Sequence, residues 1–285
     1  MSIRYINFRI YINKVLDLDY FRYFIYGLIQ GITEFIPISS TGHLKIISLL
    51  FGLDDPGTSL SAILQLGSVF SIIWYFRNEF NIMGFIKKGS YRKTTHLKSI
   101  SKSIFIASIS ILVLGFLIKT FFPNYSNSFL RSNLSIGLAS IVMAFLMLYA
   151  DKRRIAKYSL RKHTLNSSFV IGLCQSLALI PGVSRSGITI SSALFMGWKK
   201  EDAAKFSFLL GIPSISIAAL VEIIDFNFND INNISPLIFG FITTIVVSLI
   251  SIDFFVRFIS LKGLKLFAYY RIVFGTLIIL TFLIH

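Results

Sequence analysis

The chain has 285 residues, of which 54% are hydrophobic and 14% charged, and its mean hydropathy is +0.74. So few charges cannot coat a soluble domain of this length, and the sequence reads as a single polytopic membrane domain over residues 1–285. The formal charge of +15 does not indicate a nucleic-acid partner, because the basic residues gather in loops between apolar runs and no groove-reading module is visible. Cys174 is the only cysteine, which excludes an intrachain disulfide and a cysteine-based metal cluster.

In chain order, Arg4, Arg9, Lys14, Asp17 and Asp19 interrupt any signal-peptide core, so the first membrane segment is expected to direct insertion itself. Residues 21–36 are apolar but broken by Gln30, Glu34 and then Pro37, and 43–53 resumes as a short apolar piece. Neither is a comfortable full span, and together they predict a re-entrant pair, whose irregular backbone is tolerated at membrane depth only against protein or a water-filled cavity. Full spans are predicted at 59–76, 103–122 and 133–150. A second broken pair occupies 168–180 and 187–198, and three more spans fall near 203–224, 236–255 and 266–283.

The two broken pairs can be superposed. Gly27-Leu28-x-Gln30 matches Gly172-Leu173-x-Gln175. After a one-residue slip Pro37 matches Pro181, Ser40 matches Ser184, and Leu66-Gly67 meets Leu210-Gly211. This predicts an all-α inverted-topology repeat, with repeat 1 at about 21–150 and repeat 2 at about 168–285. Each half is a re-entrant helix pair plus three transmembrane helices. Three is odd, so the second half inserts upside down, and the site is expected at the interface near the midplane.

The loop with Arg77, Lys87, Lys88, Arg92, Lys93, Lys98 and Lys102 and the loop with Lys152, Arg153, Arg154, Lys157, Arg161 and Lys162 are assigned to the cytoplasmic side. Lys199, Lys200 and Lys205, and Arg257, Lys262 and Lys265, join them. The lysine- and arginine-free loops at 54–58 and 225–235 then face outward with both termini, an orientation that Arg4, Arg9, Lys14 and Arg22 oppose.

The polar residues inside the broken segments carry the chemistry, since ionisable groups at membrane depth point to function. Pro37 and Pro181 end helical runs. Ser39-Ser40-Thr41 and Ser184-Arg185-Ser186 then read as caps opening half-helices, whose N-termini suit a phosphate. Arg185 adds a permanent cation of fork geometry. Gln30 and Glu34 are four residues apart and face one way. Glu34 with His43 offers acid–base capacity, and Ser40 with His43 a nucleophile and a base. Glu34 also suits Mg²⁺ or Ca²⁺ shared with a substrate phosphate. These groups imply phosphoanhydride hydrolysis at a membrane surface. Each also has a plainer reading as a cap or packing group. Asp253 and Arg257 read as a structural pair. Arg271, Glu222 and Lys119 read as snorkelling residues near span ends.

Three segments carry a family resemblance: EFIPISSTGH (34–43), PGVSRSGIT (181–189) and FSFLLGIP (206–213). They resemble the undecaprenyl-diphosphatase family, the bacterial bacitracin-resistance phosphatases, with similarity from about Phe24 to the C-terminus, including Tyr270-Arg271. The resemblance implies a multi-pass enzyme of the bacterial inner membrane that converts undecaprenyl diphosphate to the monophosphate carrier of peptidoglycan synthesis. It also implies an inverted-repeat fold, a divalent cation (Mg²⁺ or Ca²⁺), a site open to the outer side, and often a homodimer. Carried over, Ser40 is the nucleophile, with His43 and Glu34 as acid–base or metal-associated groups and Ser39 as the runner-up nucleophile. Ser39, Thr41, Ser184, Arg185, Ser186 and Thr189 are the substrate-binding candidates, and Glu34 with Gln30 the metal candidates. Many relatives carry glutamate at the position of Gln30, and an amide can ligate a cation but cannot act as base. The alternative is a prenyl-phosphate flippase or other anion transporter, which would need Arg185 and the helix ends but no nucleophile.

Overall fold

The computed structural model describes residues 2–53, 57–77, 91–122, 125, 128–153, 156–224 and 234–284, with side chains from 18 onward apart from 58, 91–98 and 282–284. Among these residues the chain is all-helical, with two isolated bridges and no strand. The helices are α1 (Ser2–Thr33), α2 (Ser40–Phe51), α3 (Gly57–Tyr75), α4 (Tyr91–Phe121), α5 (Asn133–Lys152), α6 (Leu165–Gln175), α7 (Arg185–Phe195), α8 (Lys200–Ile224), α9 (Ser235–Lys262) and α10 (Lys265–Ile284). The predicted segments fall on these helices. The first is longer than expected, because the helix runs unbroken through the polar N-terminal residues. A single 3-10 turn, Ser176–Leu179, extends α6 toward its break.

Local signals explain several boundaries. Ser132 and Thr164 accept hydrogen bonds from Ser135 N and Ser167 N and so cap α5 and α6. Pro236 occupies the first turn of α9, where a missing N–H costs nothing. Among the described residues four helices are long and apolar enough to cross a bilayer: Ser99–Phe121, Asn133–Lys152, Lys200–Ile224 and Ser235–Lys262. With the family evidence given below, this is a multi-pass membrane protein. The apolar part of α3, Ser59–Tyr75, is shorter. Only 11% of the α4 span is buried against 44% of the α8 span, so α8 is central and α4 peripheral.

The helices pack in pairs that fix their directions. α1 lies along α9, with Tyr20 bonded to Ser235 (2.6 Å) and Thr244 to the Gly27 carbonyl (3.3 Å), so the two run parallel. Gly67 of α3 abuts the Phe241 carbonyl and Tyr75 bonds Asp253 (3.2 Å), so α3 is parallel to α9 as well. With α1 and α3 pointing one way, α2 must carry the chain back toward the side α1 came from. α6 runs along α4, with Ser110 donating to the Gly172 carbonyl (2.7 Å) and Tyr125 to the Leu179 carbonyl (2.7 Å). α5 and α10 are antiparallel and meet at Gly137 and Gly275.

Close crossing at glycines lets these pairs form. A Cβ on Gly27 would strike the Gly240 carbonyl, and one on Gly172 would strike the Ala107 carbonyl. The core between the pairs is aromatic, including fully buried Phe35, Phe206, Phe208 and Phe255. At one end of the bundle Lys200 pairs with buried Asp151 (2.7 Å), joining the end of α5 to the start of α8. The expected Asp253–Arg257 pair forms on α9 (3.0 Å). The loop assignments resting on Lys87, Lys88, Arg154, residues 54–56 and 225–233, and on the side chains of Arg4, Arg9, Lys14, Arg92, Lys93 and Lys98, lie outside the described residues.

Candidate active site

Both breaks turn on a serine held at positive φ. Ser39 has φ 75° and ψ 97°, and Ser184 has φ 70° and ψ 113°. Among the described residues they are the only non-glycines with positive φ, a conformation that costs about 1–3 kcal/mol and clusters at functional sites. α2 starts directly after Ser39 and α7 directly after Ser184. The backbone therefore pairs Ser39 with Ser184, Ser40 with Arg185 and Gly42 with Gly187. This keeps the register of Gln30 with Gln175, and the slip that would match Ser40 to Ser184 is not needed at the caps.

Glu34 is the hub. Its Oε1 accepts from Arg185 Nη2 (3.0 Å), and its Oε2 accepts from Gln30 Nε2 (2.8 Å) and Ser40 Oγ (3.2 Å). One carboxylate thus joins a hydroxyl at the first half-helix start to a guanidinium at the second. Gln30 and Glu34 share a face as their spacing requires. Reaching Arg185, 151 residues away, depends on the fold.

Arg185 rests on α8. Its Nη1 donates to the Ser207 carbonyl (2.8 Å). Gly211 lets the guanidinium lie on the helix, because a Cβ there would strike Nη1. Ser207 and Gly211 are four apart in FSFLLGIP, so a stripe of small residues was the sequence signal for this cradle. Thr189 Oγ1 bonds Ser207 Oγ (2.6 Å) and the Arg185 carbonyl (2.8 Å), so it braces the cradle from behind. Ser184 Oγ accepts from Gly187 N (3.2 Å), capping α7.

His43 stands apart from this set. Its Nδ1 meets the Ser39 carbonyl (2.7 Å) and its Nε2 the Tyr270 hydroxyl (2.6 Å), while the ring stacks on Phe274 at 4.0 Å. Since a carbonyl can only accept, Nδ1 donates and Nε2 accepts. Both ring nitrogens are occupied, and the Ser40 hydroxyl bonds Glu34 instead.

Arg271 requires a correction. The expected snorkelling residue is fully buried, with Nε donating to the Ser140 carbonyl (3.2 Å), Nη1 to the Pro37 carbonyl (3.2 Å) and Nη2 to the Gly182 carbonyl (2.5 Å). A charge at this depth survives only with its donors satisfied, and three backbone carbonyls supply that.

A cavity of about 180 Å³ opens between the breaks. Glu34, Ser39, Ser40, Thr41, Ser184 and Arg185 line it, with Gln65, Ile111, Ser214, Ile215 and Ala218 continuing its wall toward α3, α4 and α8. His43, Gln30, Ser186 and Thr189 do not line it. Buried atoms without a hydrogen-bond partner in the protein include the acceptor Gln30 Oε1, on the side chain bonded to Glu34, and the donor Arg185 Nε. The oxygen donors of Gln30, Glu34 and Ser40 suit a hard cation, whose usual site takes one or two carboxylates plus substrate phosphate oxygens. Among the described residues no group of three His, Cys, Asp or Glu side chains is placed to hold a metal.

A family model described as bacitracin resistance protein BacA matches residues 23–277. The chain belongs to the BacA family. Among its relatives is an undecaprenyl-diphosphatase of Prochlorococcus marinus strain MIT 9215, 54% identical over 92% of this chain and 99% of that protein. Others are the undecaprenyl-diphosphatases of P. marinus subsp. pastoris strain CCMP1986 / NIES-2087 / MED4, 52% identical over 92% and 99%, and of strain NATL1A, 45% identical over 92% and 95%. The BacA match spans both breaks and the α10 residues that hold them.

Proposed function

We propose that this BacA-family chain is an undecaprenyl-diphosphate phosphatase that returns undecaprenyl monophosphate to peptidoglycan synthesis and so confers resistance to bacitracin. The observation that carries this reading is the Ser40–Glu34–Arg185 set, a hydroxyl, the carboxylate that accepts from it and a guanidinium lining one cavity between two half-helix starts, which is what a nucleophile, its base and an anion-binding group would require. The unpartnered Arg185 Nε and Gln30 Oε1 add an unmet donor for an anion and an unmet acceptor for a cation. A transporter needs the cation and the helix ends but gives Ser40 and Glu34 no task.

In this mechanism the terminal phosphate lies against Arg185 and the N-termini of α2 and α7. Ser40 Oγ attacks the terminal phosphorus while Glu34 takes its proton. The bond from that phosphorus to the bridging oxygen breaks, and the prenyl monophosphate leaves with the electron pair. Glu34 gives that proton to the departing monophosphate and is a carboxylate again. Water then attacks the phosphoserine phosphorus as Glu34 takes its proton, the bond from phosphorus to Ser40 Oγ breaks, and Glu34 returns the proton to Oγ as phosphate leaves. The 3.2 Å Ser40–Glu34 distance is long for a hydroxyl–carboxylate bond, as catalytic contacts often are before substrate tightens them. Ser39, Thr41 and Ser184 face the phosphates. Ser186 and Thr189 hold the second tip, and His43 acts by orienting the Ser39–Ser40 start. Gln30 and Glu34 would hold Mg²⁺ or Ca²⁺, which supplies charge neutralisation on the diphosphate.

An inverted-topology repeat belongs to the same reading. It is supported by the matching of α1 against α9 at Gly27 with α6 against α4 at Gly172, each crossing bridged by a hydroxyl from the outer helix, Thr244 or Ser110. A site facing outward in the bacterial inner membrane belongs to the same reading, supported by a cavity wall that includes Gln65 of α3 and Ala218 of α8, helices that in sequence adjoin the lysine- and arginine-free segments 54–58 and 225–235. A homodimer follows from the family resemblance.

The test is phosphate release from undecaprenyl diphosphate by purified protein in detergent, with and without Mg²⁺ or Ca²⁺. Acid quenching of substrate labelled in the terminal phosphate would trap label on wild type and not on Ser40→Ala. Absence of release from folded wild type in lipid-supplemented detergent would sink the reading.

A further inference from the structure

Arg271 is a fully buried cation of α10 whose guanidinium is spent on carbonyls of both breaks. Pro37 lies two residues before Ser39, and Gly182 two residues before Ser184. One rigid fork thus holds the same backbone atom in each tip, 145 residues apart in the chain, and its Nε fastens the pair to Ser140 of α5 (3.2 Å). The preceding residue, Tyr270, reaches the first tip a second time through His43, whose Nδ1 holds the Ser39 carbonyl.

Stability does not account for this arrangement, since desolvating a charge is costly and an apolar side chain of similar volume is often as stable there. The site offers another reason. Ser40 and Arg185 sit on different tips and must meet one phosphate, so the spacing of the tips is a catalytic variable. Without Arg271, the Pro37 and Gly182 carbonyls would lose their common donor.

We propose that Arg271 is a positioning residue that sets the distance between the two half-helix starts and hence the placement of Ser40 against Arg185. The inference rests on the phosphatase reading for its kinetic consequence and on geometry alone for its structural one. A lysine keeps the charge but lacks the planar fork that spans two carbonyls.

Wild type, Arg271→Lys and Arg271→Met are compared with Arg257→Met, which removes an exposed arginine on α9. Amide hydrogen exchange is followed by mass spectrometry, and kcat and KM by phosphate release. In Arg271→Lys, exchange should quicken tenfold or more in peptides covering both 36–42 and 180–187, while α3 and α9 peptides stay unchanged. kcat should fall about thirty- to hundredfold, the scale of an ångström's misplacement, with KM within threefold. Arg257→Met should match wild type in both readouts. If Arg271→Met fails to fold, the lysine variant alone decides. Acceleration in one tip only, or throughout the protein, overturns the clamp, and so does unchanged kcat despite faster exchange in both tips. If wild type releases no phosphate yet both tips loosen in Arg271→Lys, the clamp stands and the phosphatase reading falls. If wild type is active and the lysine variant matches it in both readouts, the clamp falls and the phosphatase reading stands.

Discussion

The two tips share a backbone and differ in what they carry. In the first, Gln30 is followed four residues on by Glu34, and the strained Ser39 by Ser40. In the second, Gln175 is followed by Leu179, and the strained Ser184 by Arg185. Each tip opens its half-helix at a serine of positive φ. One tip carries the carboxylate and the hydroxyl bonded to it, and the other the guanidinium. A single tip carrying both would pair its own charges locally. Dividing them makes the ion pair between tips, Glu34–Arg185, a link that only the folded bundle completes.

The strongest break in this comparison exchanges the acid. Glu34→Gln keeps the size and the contact with Gln30 but removes the base, so kcat should fall about 10²–10⁴-fold in the phosphate-release assay. Leu179→Gln, at the matching position of the second tip, should leave kcat within about threefold, since no proton transfer is assigned there. Comparable losses in both variants would show that the tips do not divide the chemistry.

Next in size is Arg185→Lys. The ammonium cannot reach Glu34, the Ser207 carbonyl and a phosphate in one plane, and kcat/KM should fall about a hundredfold. A third variant separates the cradle from general packing. Gly211→Ala drives a methyl into the Arg185 guanidinium and should lower kcat/KM about ten- to a hundredfold. Gly67, aligned with it in the sequence comparison, meets the Phe241 carbonyl and Thr244 instead of the guanidinium, so Gly67→Ala should leave kcat/KM within about threefold. Equal kinetic loss at both glycines would deny Arg185 its special seat.

What the sequence disclosed of this site follows the range of its signals. The helix breaks around Pro37 and Pro181, the Gln30–Glu34 face and the helix starts at Ser40 and Arg185 are local, and they were legible. The partners of Arg185 and His43 are not local. Spacing put Ser40 three residues from His43 and suggested a nucleophile with its base, but α2 turns the imidazole toward Tyr270 and Phe274 on α10. Arg271 looked like a span-end cation because nothing in one chain segment shows that two distant carbonyls converge on it. The slip in the repeat register has a similar cause. Pro37 and Pro181 are conspicuous letters, yet the second break has one more residue between proline and cap.

The smallest effect tests whether the two strained serines are equivalent in energy as well as in φ. Ser184 Oγ caps α7 through Gly187 N, whereas Ser39 makes no side-chain cap bond. Replacement by alanine keeps a Cβ at positive φ in either place, so the backbone strain cancels between the two variants. What remains is the cap, together with the weak bond of the Ser184 hydroxyl to Ser186 Oγ (3.3 Å). Ser184→Ala should therefore lose about 1 kcal/mol more than Ser39→Ala, the usual worth of such a cap, read as a lower unfolding temperature in detergent without substrate. Equal losses would mean that the Ser184 hydroxyl contributes nothing to holding the second tip. The hydroxyls of both serines would then be matched in stability, and the asymmetry of the tips would reside wholly in Glu34, Ser40 and Arg185.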